Sequence, residues 1–594
     1  MQSQFPAYKE QYNKTLAKVQ GFSDPSAVQS HAAFFGNALA FTRKQWYIKT
    51  KKTGCRIALY WIRDLRMSLR SISFFSLYLT LGLVTLNHSA DLPARSLAAI
   101  QPDEMRSHLS FLASDSLRGR NTPSAGLDTA AVYIARFFRE NGLSPVNGSY
   151  FQEIALNRIF LGDTNSCRIT GSDGAGRDYR IKKEFMPFEM TADKSCSGEI
   201  VFAGYGISTP ELGYDDYAGI DVKGKIVLVL KRGPRQNDPA SPFFLHKDVS
   251  FTRTNEKIET AIEHGAAGIL LVTDPLHNRM LTPRGFPWPN LYKGFPPDAV
   301  PVTLGKTEGL KIPAIQVGEE AIIQLFGSVD ALKAEQAAID SGMTPHSRPL
   351  AGSRAEIRTS TRQQIQHSRN VVGLIPGSDR RLKEEVVIVG GHYDHVGYAQ
   401  KTPAGQDSIF NGADDNASGA VGVLTVAKAL AAAEKKPRRS ILCIAFTGEE
   451  KGLYGSTHYT AEPLIPLEKT AAMLNMDMIS RNHLDSLSVT GIRSSQELRK
   501  AVLKANKKTG FQLDFSSDKY LRGGSDHAPF VRKEIPVLFF FSGMHADYHK
   551  VSDEVEKCNV YKMARVAELC SRVAWQIAND KQKPVFVAPA MPVK

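Results

Sequence analysis

In the C-terminal half of the chain, histidines and carboxylates recur at the ends of apolar runs, and these are side chains able to hold a cation. His392 in GGHYDHVG follows the run VVIVGG, and Asp394, two residues on, shares its face in extended chain, where it would accept the second imidazole N–H. Asp414, Asp415 and Asn416 in NGADDNASG precede an apolar helical run. Such residues serve as turns or helix caps, yet two adjacent carboxylates repel each other unless a cation neutralises them. Glu449 and Glu450 in AFTGEEKGLYGS lie just past a buried type of strand, where a charged exit is ordinary. Asp477 stands inside AAMLNMDMIS, where a carboxylate without a partner carries a large desolvation cost. His549 in SGMHADYHKVSDE follows PVLFFFSG, and local spacing does not choose among His527, His545 and His549. Imidazoles and carboxylates without thiolates suit a catalytic zinc site better than a structural one. Ser525, Asp526 and His527 are consecutive, so their side chains diverge and do not make a hydrolytic triad.

The elements that must position these residues alternate from about residue 368 to 580. VVGLIPG, VVIVGGHYD, SILCIAFTGEE, MLNMDMIS and PVLFFFSG read as strands, with GAVGVLTVAKALAAAE, SQELRKAVLKANKKTG and YKMARVAELCSRVAWQIAND as helices. Apolar strands interleaved with amphipathic helices predict an α/β fold, a mixed and largely parallel sheet flanked by helices, with active residues at the carboxyl ends of its strands. A second, smaller α/β module is predicted over 191–345 from EIVFAGYGI, GKIVLVLKRG, TNEKIETAIEHGAAG and ILLVTD. It closes through the Pro-rich stretch 281–301, a rigid connection or a lid. Ahead of it, 91–190 reads as a lead-in with the amphipathic helix AAVYIARFFRENGL, ended by Gly142, and 346–585 holds the metal-binding candidates.

Together GGHYDHVG, NGADDNASG, FTGEEKGLYGS, NMDMIS and DYHKVSDE, in this order, resemble the five signature blocks of the cocatalytic dizinc aminopeptidases, the superfamily that includes glutamate carboxypeptidase and transferrin receptor. The likeness runs from His392 to His549. Residues 191–345 resemble the protease-associated domain inserted in such enzymes, and the lead-in from HLSFLASDSLRGR to NGLSPVNGSYFQ is similar to their bacterial N-terminal part. The resemblance implies two Zn2+ ions, with His392 and Asp477 on one, Glu450 and His549 on the other, and Asp415 bridging. It further implies Asp394 as the residue orienting His392, Glu449 as general base, Tyr548 as a phenol polarising the scissile carbonyl, and a cis peptide between Asp415 and Asn416. Peptides with a free N-terminus would be the substrates, and Arg522 a candidate substrate contact. Glutaminyl-cyclase-like and receptor-like relatives have lost ligands, by the same resemblance, whereas all five positions and Glu449 are present here. A carboxypeptidase or dipeptidase using the same centre stays open, since it needs only a cationic residue to grip a substrate carboxylate.

Composition fits this reading. The 594 residues carry a formal net charge of +14, but residues 1–66 supply 11 Lys and Arg against 3 Asp and Glu, so the remainder is mildly basic and no nucleic-acid partner is expected. Residues 67–90, MSLRSISFFSLYLTLGLVTLNHSA, have the layout of a signal peptide, with an apolar run shorter than the ~20 residues that span a bilayer. Export is therefore expected, with no stable membrane span after cleavage. Translation is expected to begin at Met67, leaving 1–66 an upstream extension; the alternative is a cytoplasmic tail before a signal anchor. Of six cysteines, none forms a C-x-x-C pair, and Cys167 with Cys196 is a candidate disulfide or an unpaired buried couple.

Overall fold

The computed structural model describes residues 91–588 apart from 190, 239, 246–249, 285–287, 289–290, 292–299, 305–310, 400–404 and 518–520. The expected extension over 1–66 and signal segment over 67–90 lie outside the described residues, as does most of the stretch proposed as a lid.

Four strands make the centre of a nine-stranded sheet. Ser440–Phe446, Val386–His392, Thr470–Met476 and Val537–Phe541 are adjacent in that order and mutually parallel. The pairings beyond them are antiparallel, through Thr361–Ile375, Phe151–Leu161 and Val302–Leu304 on one side and Ser486–Thr490 on the other, where Gln512–Asp514 returns parallel at the edge. The sheet is thus mixed, with its parallel part where the sequence shows continuous apolar runs. Those runs are buried on both faces, and alternate residues serve different cores. Val387 and Val389 pack with the helices Pro102–Leu112, Ala125–Glu140, Gly419–Ala431 and Val560–Asn579, while Val386 and Ile388 join Tyr459 and Phe530 on the opposite face.

The lead-in helix Ala125–Glu140 starts at Ser124, whose hydroxyl accepts Leu127 N–H, and stops at Gly142, whose φ of +77° takes the left-handed conformation expected after a helix end.

An eight-stranded sheet forms the second module. Its parallel part, Lys194–Phe202, Ile226–Leu230, Gly268–Val272 and Ala314–Val317, comes from the predicted strands. Its completion does not. Ser166–Thr170, Gly176–Tyr179 and Phe185–Pro187 enter from before residue 191, and Arg348–Thr359 from after 345. Conversely Val302–Leu304, inside that span, pairs with the other sheet. Apart from Val302–Leu304, the chain between 162 and 360 lies outside the nine-stranded sheet, and its two ends meet where Leu161 lies opposite Thr361 and Gly162 N–H donates to Ser360 O at 2.7 Å. Two ends meeting in this way let a domain be inserted without disturbing the host sheet.

Cys167 and Cys196 both lie opposite Ile357, one on each side of its strand. Two strand spacings are about 10 Å, beyond the reach of a disulfide. Both are free, as are Cys443, Cys558 and Cys570. No helix among the described residues is long and apolar enough to cross a membrane.

Candidate metal centre

Each of the four central parallel strands delivers one site residue or pair past its carboxyl end. His392 ends its strand, and Gly390 and Gly391 before it permit close packing: a Cβ on Gly391 would lie 2.6 Å from Met476 O. Asp477 follows Met476 directly and its N–H donates to Phe540 O at 3.2 Å. Glu449 and Glu450 come just after Ser440–Phe446, and His549 in the loop after Val537–Phe541, with φ +53°.

Asp415 comes from the turn before Gly419–Ala431, where three successive polar residues divide the work. Asp414 Oδ1 accepts from Ser418 Oγ, Ser480 N and Ser480 Oγ at 2.6–3.1 Å, facing away from the site. Asn416 Oδ1 accepts Gly419 N–H and Met478 N–H, holding the first helical turn. Between them Asp415 turns inward, and the Asp415–Asn416 peptide is cis, as the resemblance implied. Asp553 Oδ2 accepts both the Asp414 and the Asp415 N–H at 3.0 Å.

Asp415 spans two sets of groups. Its Oδ1 is 3.5 Å from His392 Nε2, which is also 3.5 Å from Asp477 Oδ1 and 4.0 Å from Glu449 Oε2. Its Oδ2 is 3.1 Å from His549 Nε2, itself 3.1 Å from Glu450 Oε2. His392, Glu449 and Asp477 form one group able to hold an ion, and His395, Asp415, Glu450 and His549 another. His392 Nε2, His549 Nε2, Asp415 Oδ2 and Asp477 Oδ1 are buried without an aligned hydrogen bond. Leaving such atoms unsatisfied is costly, and a cation among them removes that cost. The all-imidazole and carboxylate donor set fits zinc.

The crowding shows in the protonation equilibria. Burial, reinforced by the charge of Glu450, lifts the Asp415 carboxyl to about 6. Burial likewise raises Glu449 well above the usual carboxylate range, with Glu450, Asp477 and Asp526 adding to it against the pull of His392. For His549, burial works downward but pairing with Asp415 and Glu450 prevails and carries it up to about 10. Burial would raise Glu450, yet pairing with His395 and His549 keeps it well below the usual range.

Asp394 departs in detail from its expected role. Its carboxylate Oδ1 is 3.6 Å from His392 Nδ1, beyond a hydrogen bond, and the acceptor for that nitrogen is the main-chain oxygen of Asp394 at 3.2 Å. The carboxylate instead accepts Glu449 N–H at 3.1 Å and the Thr122 hydroxyl at 3.0 Å, tying the two loops together. Tyr548 stacks on His549 with ring centroids 3.9 Å apart, and burial keeps its phenol protonated far above the ordinary range. Arg522 is exposed, without a hydrogen bond or ion pair to the cluster among the described residues.

Sequence reasoning passed over several residues that the fold brings in. His395, wholly buried, shares a 2.9 Å hydrogen bond between its Nδ1 and Glu450 Oε1, leaving Oε2 facing His549. Its signal was the second histidine of GGHYDHVG. Ser525 Oγ donates to Asp477 Oδ2 at 2.7 Å and accepts from Asn475 Nδ2, so the GGSDHAPF loop supports the site. Asp553, in the block that carries His549, has no local signal.

Residues 370–574 match the model of peptidase family M28, and residues 193–325 that of the PA domain. Aminopeptidase NAALADL1 of Mus musculus is 26% identical over 368 residues, 54% of this chain and 46% of the relative. A glutamate carboxypeptidase 2 homolog of Caenorhabditis elegans is 24% identical over 483 residues, 69% of this chain and 58% of the relative. The chain spans about half the length of the curated relatives it matches. Among solved structures, an aminopeptidase from Aneurinibacillus sp. strain AM-1 superposes with a TM-score of 0.50 at 18% identity, covering 84% of this chain and 98% of that one, which speaks for the fold. The chain is homologous to aminopeptidases and glutamate carboxypeptidase-like proteins, and it carries a peptidase family M28 region over 370–574 and an inserted PA domain over 193–325.

Proposed function

We propose that the protein is a zinc-dependent exopeptidase, an aminopeptidase that removes N-terminal residues from peptides at a centre of two zinc ions. The observation carrying this reading is Asp415, whose two oxygens face His392 on one side and His549 on the other, in two groups of buried polar atoms left without hydrogen bonds. His392 and Asp477 would hold one ion, Glu450 and His549 the other. When bound, zinc supplies Lewis acidity and lowers the pKa of water.

The chain's own groups do the rest. Glu449, with its raised pKa and its place beside His392, takes the proton of the attacking water and passes it to the leaving amine. Tyr548, kept as a neutral phenol, donates a hydrogen bond to the oxyanion that develops on the scissile carbonyl. Acidic side chains around the cleft favour a substrate ammonium group, which supports an aminopeptidase over an endopeptidase. Export through 67–90 completes the proposal, and finding peptides from residues 2–66 in the native protein would refute a start at Met67.

The test compares hydrolysis of free-amine and N-acetylated peptides by the wild type and Glu449→Ala, with metal analysis of both. Two zinc ions per chain, free-amine preference and loss of activity in the variant are expected. Equal rates on blocked peptides would overturn the aminopeptidase reading, and preference for a free carboxylate would favour a carboxypeptidase.

A further inference from the structure

Arg120 lies outside every signature block and takes no part in the mechanism above, yet it is among the largest side chains with no exposed surface. Its Nε donates to Tyr393 O at 2.9 Å. Its Nη1 donates to Leu112 O and, at 2.9 Å, to Asn411 O, and its Nη2 to Gly412 O at 3.1 Å. Tyr393 follows His392, and Gly412 stands three residues before Asp415. One guanidinium therefore spans the loops that carry a ligand of each group. Its own carbonyl accepts His395 N–H at 3.1 Å, next to the bond by which His395 holds Glu450.

The backbone is shaped for this approach. Arg118, Gly119 and Arg120 have φ of 48°, 68° and 45°, the left-handed region that only glycine enters freely. A Cβ on Gly119 would lie 2.2 Å from Gly397 O and 2.6 Å from Phe410 O, so the segment is pressed against both loops. Thr122, two residues on, reaches Asp394. The acceptors of the Arg120 guanidinium are main-chain carbonyls, so the cost of burying its charge is met by charges at longer range. The offset comes from the surrounding Asp394, Asp415, Asp553 and Glu450, which keep it charged at neutral pH although burial lowers its pKa to about 10.

We infer that Arg120 is a positioning residue of the metal centre: its fork of N–H groups sets the separation of the His392 and Asp415 loops, and its fixed charge offsets the carboxylates crowded between them. The inference rests on the zinc reading above. It predicts that the lead-in is part of the active site rather than packing beside it.

The test uses the full chain as wild type, Arg120→Lys, Arg120→Met and Leu109→Ala, the last a buried residue of the same lead-in with no bond to either loop. Zinc affinity is measured by chelator competition, which needs no activity, together with Tm, kcat and KM on a free-amine peptide. Arg120→Met should bind zinc about 10-fold or more weakly, with kcat reduced far more than KM. Arg120→Lys should fall between, since it keeps the charge and loses the fork. Leu109→Ala should lower Tm and leave zinc affinity unchanged. Zinc affinity within threefold of wild type in Arg120→Met would overturn the inference, as would affinity equal to wild type in Arg120→Lys should the Met variant not fold. So would an equal affinity loss in Leu109→Ala at matched Tm. A wild type that binds no zinc would instead refute the function itself, and this inference with it.

Discussion

Replacing Asp553 by alanine isolates how the Asp415 carboxylate is held. Asp553 is fully buried, and its Oδ2 accepts from two main-chain donors, Asp414 N–H and Asp415 N–H, both at 3.0 Å. Removing it strands two buried donors at about 1–3 kcal/mol each, or roughly 2–6 kcal/mol in all if neither relaxes toward water. Because the two donors are the amides of Asp415 and of the residue before it, much of that cost is expressed as a displaced Asp415 rather than as global unfolding. At 1.4 kcal/mol per decade, about 2 kcal/mol borne by the loop weakens zinc binding roughly 30-fold. Asp553→Asn keeps one oxygen for the two donors and places an amide near Arg481, whose Nη1 is 3.5 Å from Oδ1, so its loss should be smaller. Zinc affinity by chelator competition, with Tm as the control for folding, separates the two variants. Equal affinity in wild type and Asp553→Ala would refute the reasoning, as would Asn and Ala variants that behave alike.

Three further outcomes are expected. Glu449→Gln should lower kcat on the order of 10²–10⁴-fold with zinc content unchanged; a fall in zinc content would make Glu449 a ligand instead of the base, since it lies in one group with His392 and Asp477. Ser525→Ala removes the donor to Asp477 and the acceptor for Asn475, and should weaken zinc binding about 10-fold, which the same competition assay reads. In the PA module, hydrogen bonds from Arg180 hold the Glu184 carboxyl at about 2, below its ordinary value of 4.5. A lowered acid stabilises the fold above its unfolded pKa and loses that contribution as pH falls toward the folded one. The Tm gap between wild type and Glu184→Gln should therefore be full at pH 7 and close between about pH 4.5 and 2; a gap that stays constant over that window would contradict the assignment.

Much of this architecture was legible because the relevant signals are local. Apolar runs such as VVIVGG and SILCIAF mark strands buried on both faces, and a carboxylate inside AAMLNMDMIS announces a partner through its desolvation cost. Local patterning was silent where partners are distant. Arg120 meets Tyr393 and Gly412 across nearly 300 residues, and Asp553 meets Asp415 across 138. The PA sheet borrows strands from both flanks because its edges must pair with something, and a composition shift marks only its parallel middle. Cys167 and Cys196 looked like a pair until their strands were separated by the one carrying Ile357.

The topology explains why such distant tethers are needed. Val386–His392 and Thr470–Met476 are neighbouring strands about 4.8 Å apart, so His392 and Asp477 reach one another directly from rigid strand ends. The two flanking strands start farther out. Glu450 and His549 must fold inward on loops, and Asp415 arrives from a turn. A ligand on a loop is only as well placed as the bonds that hold the loop, and here these are His395 to Glu450, Asp553 to Asp415, and Arg120 to the turn before it. The His392 and Asp477 group is therefore set by the sheet, and the Asp415, Glu450 and His549 group by its tethers. Perturbing Arg120 or Asp553 should accordingly separate zinc binding into two steps, with the tethered group losing affinity first and the strand-borne group keeping most of its own.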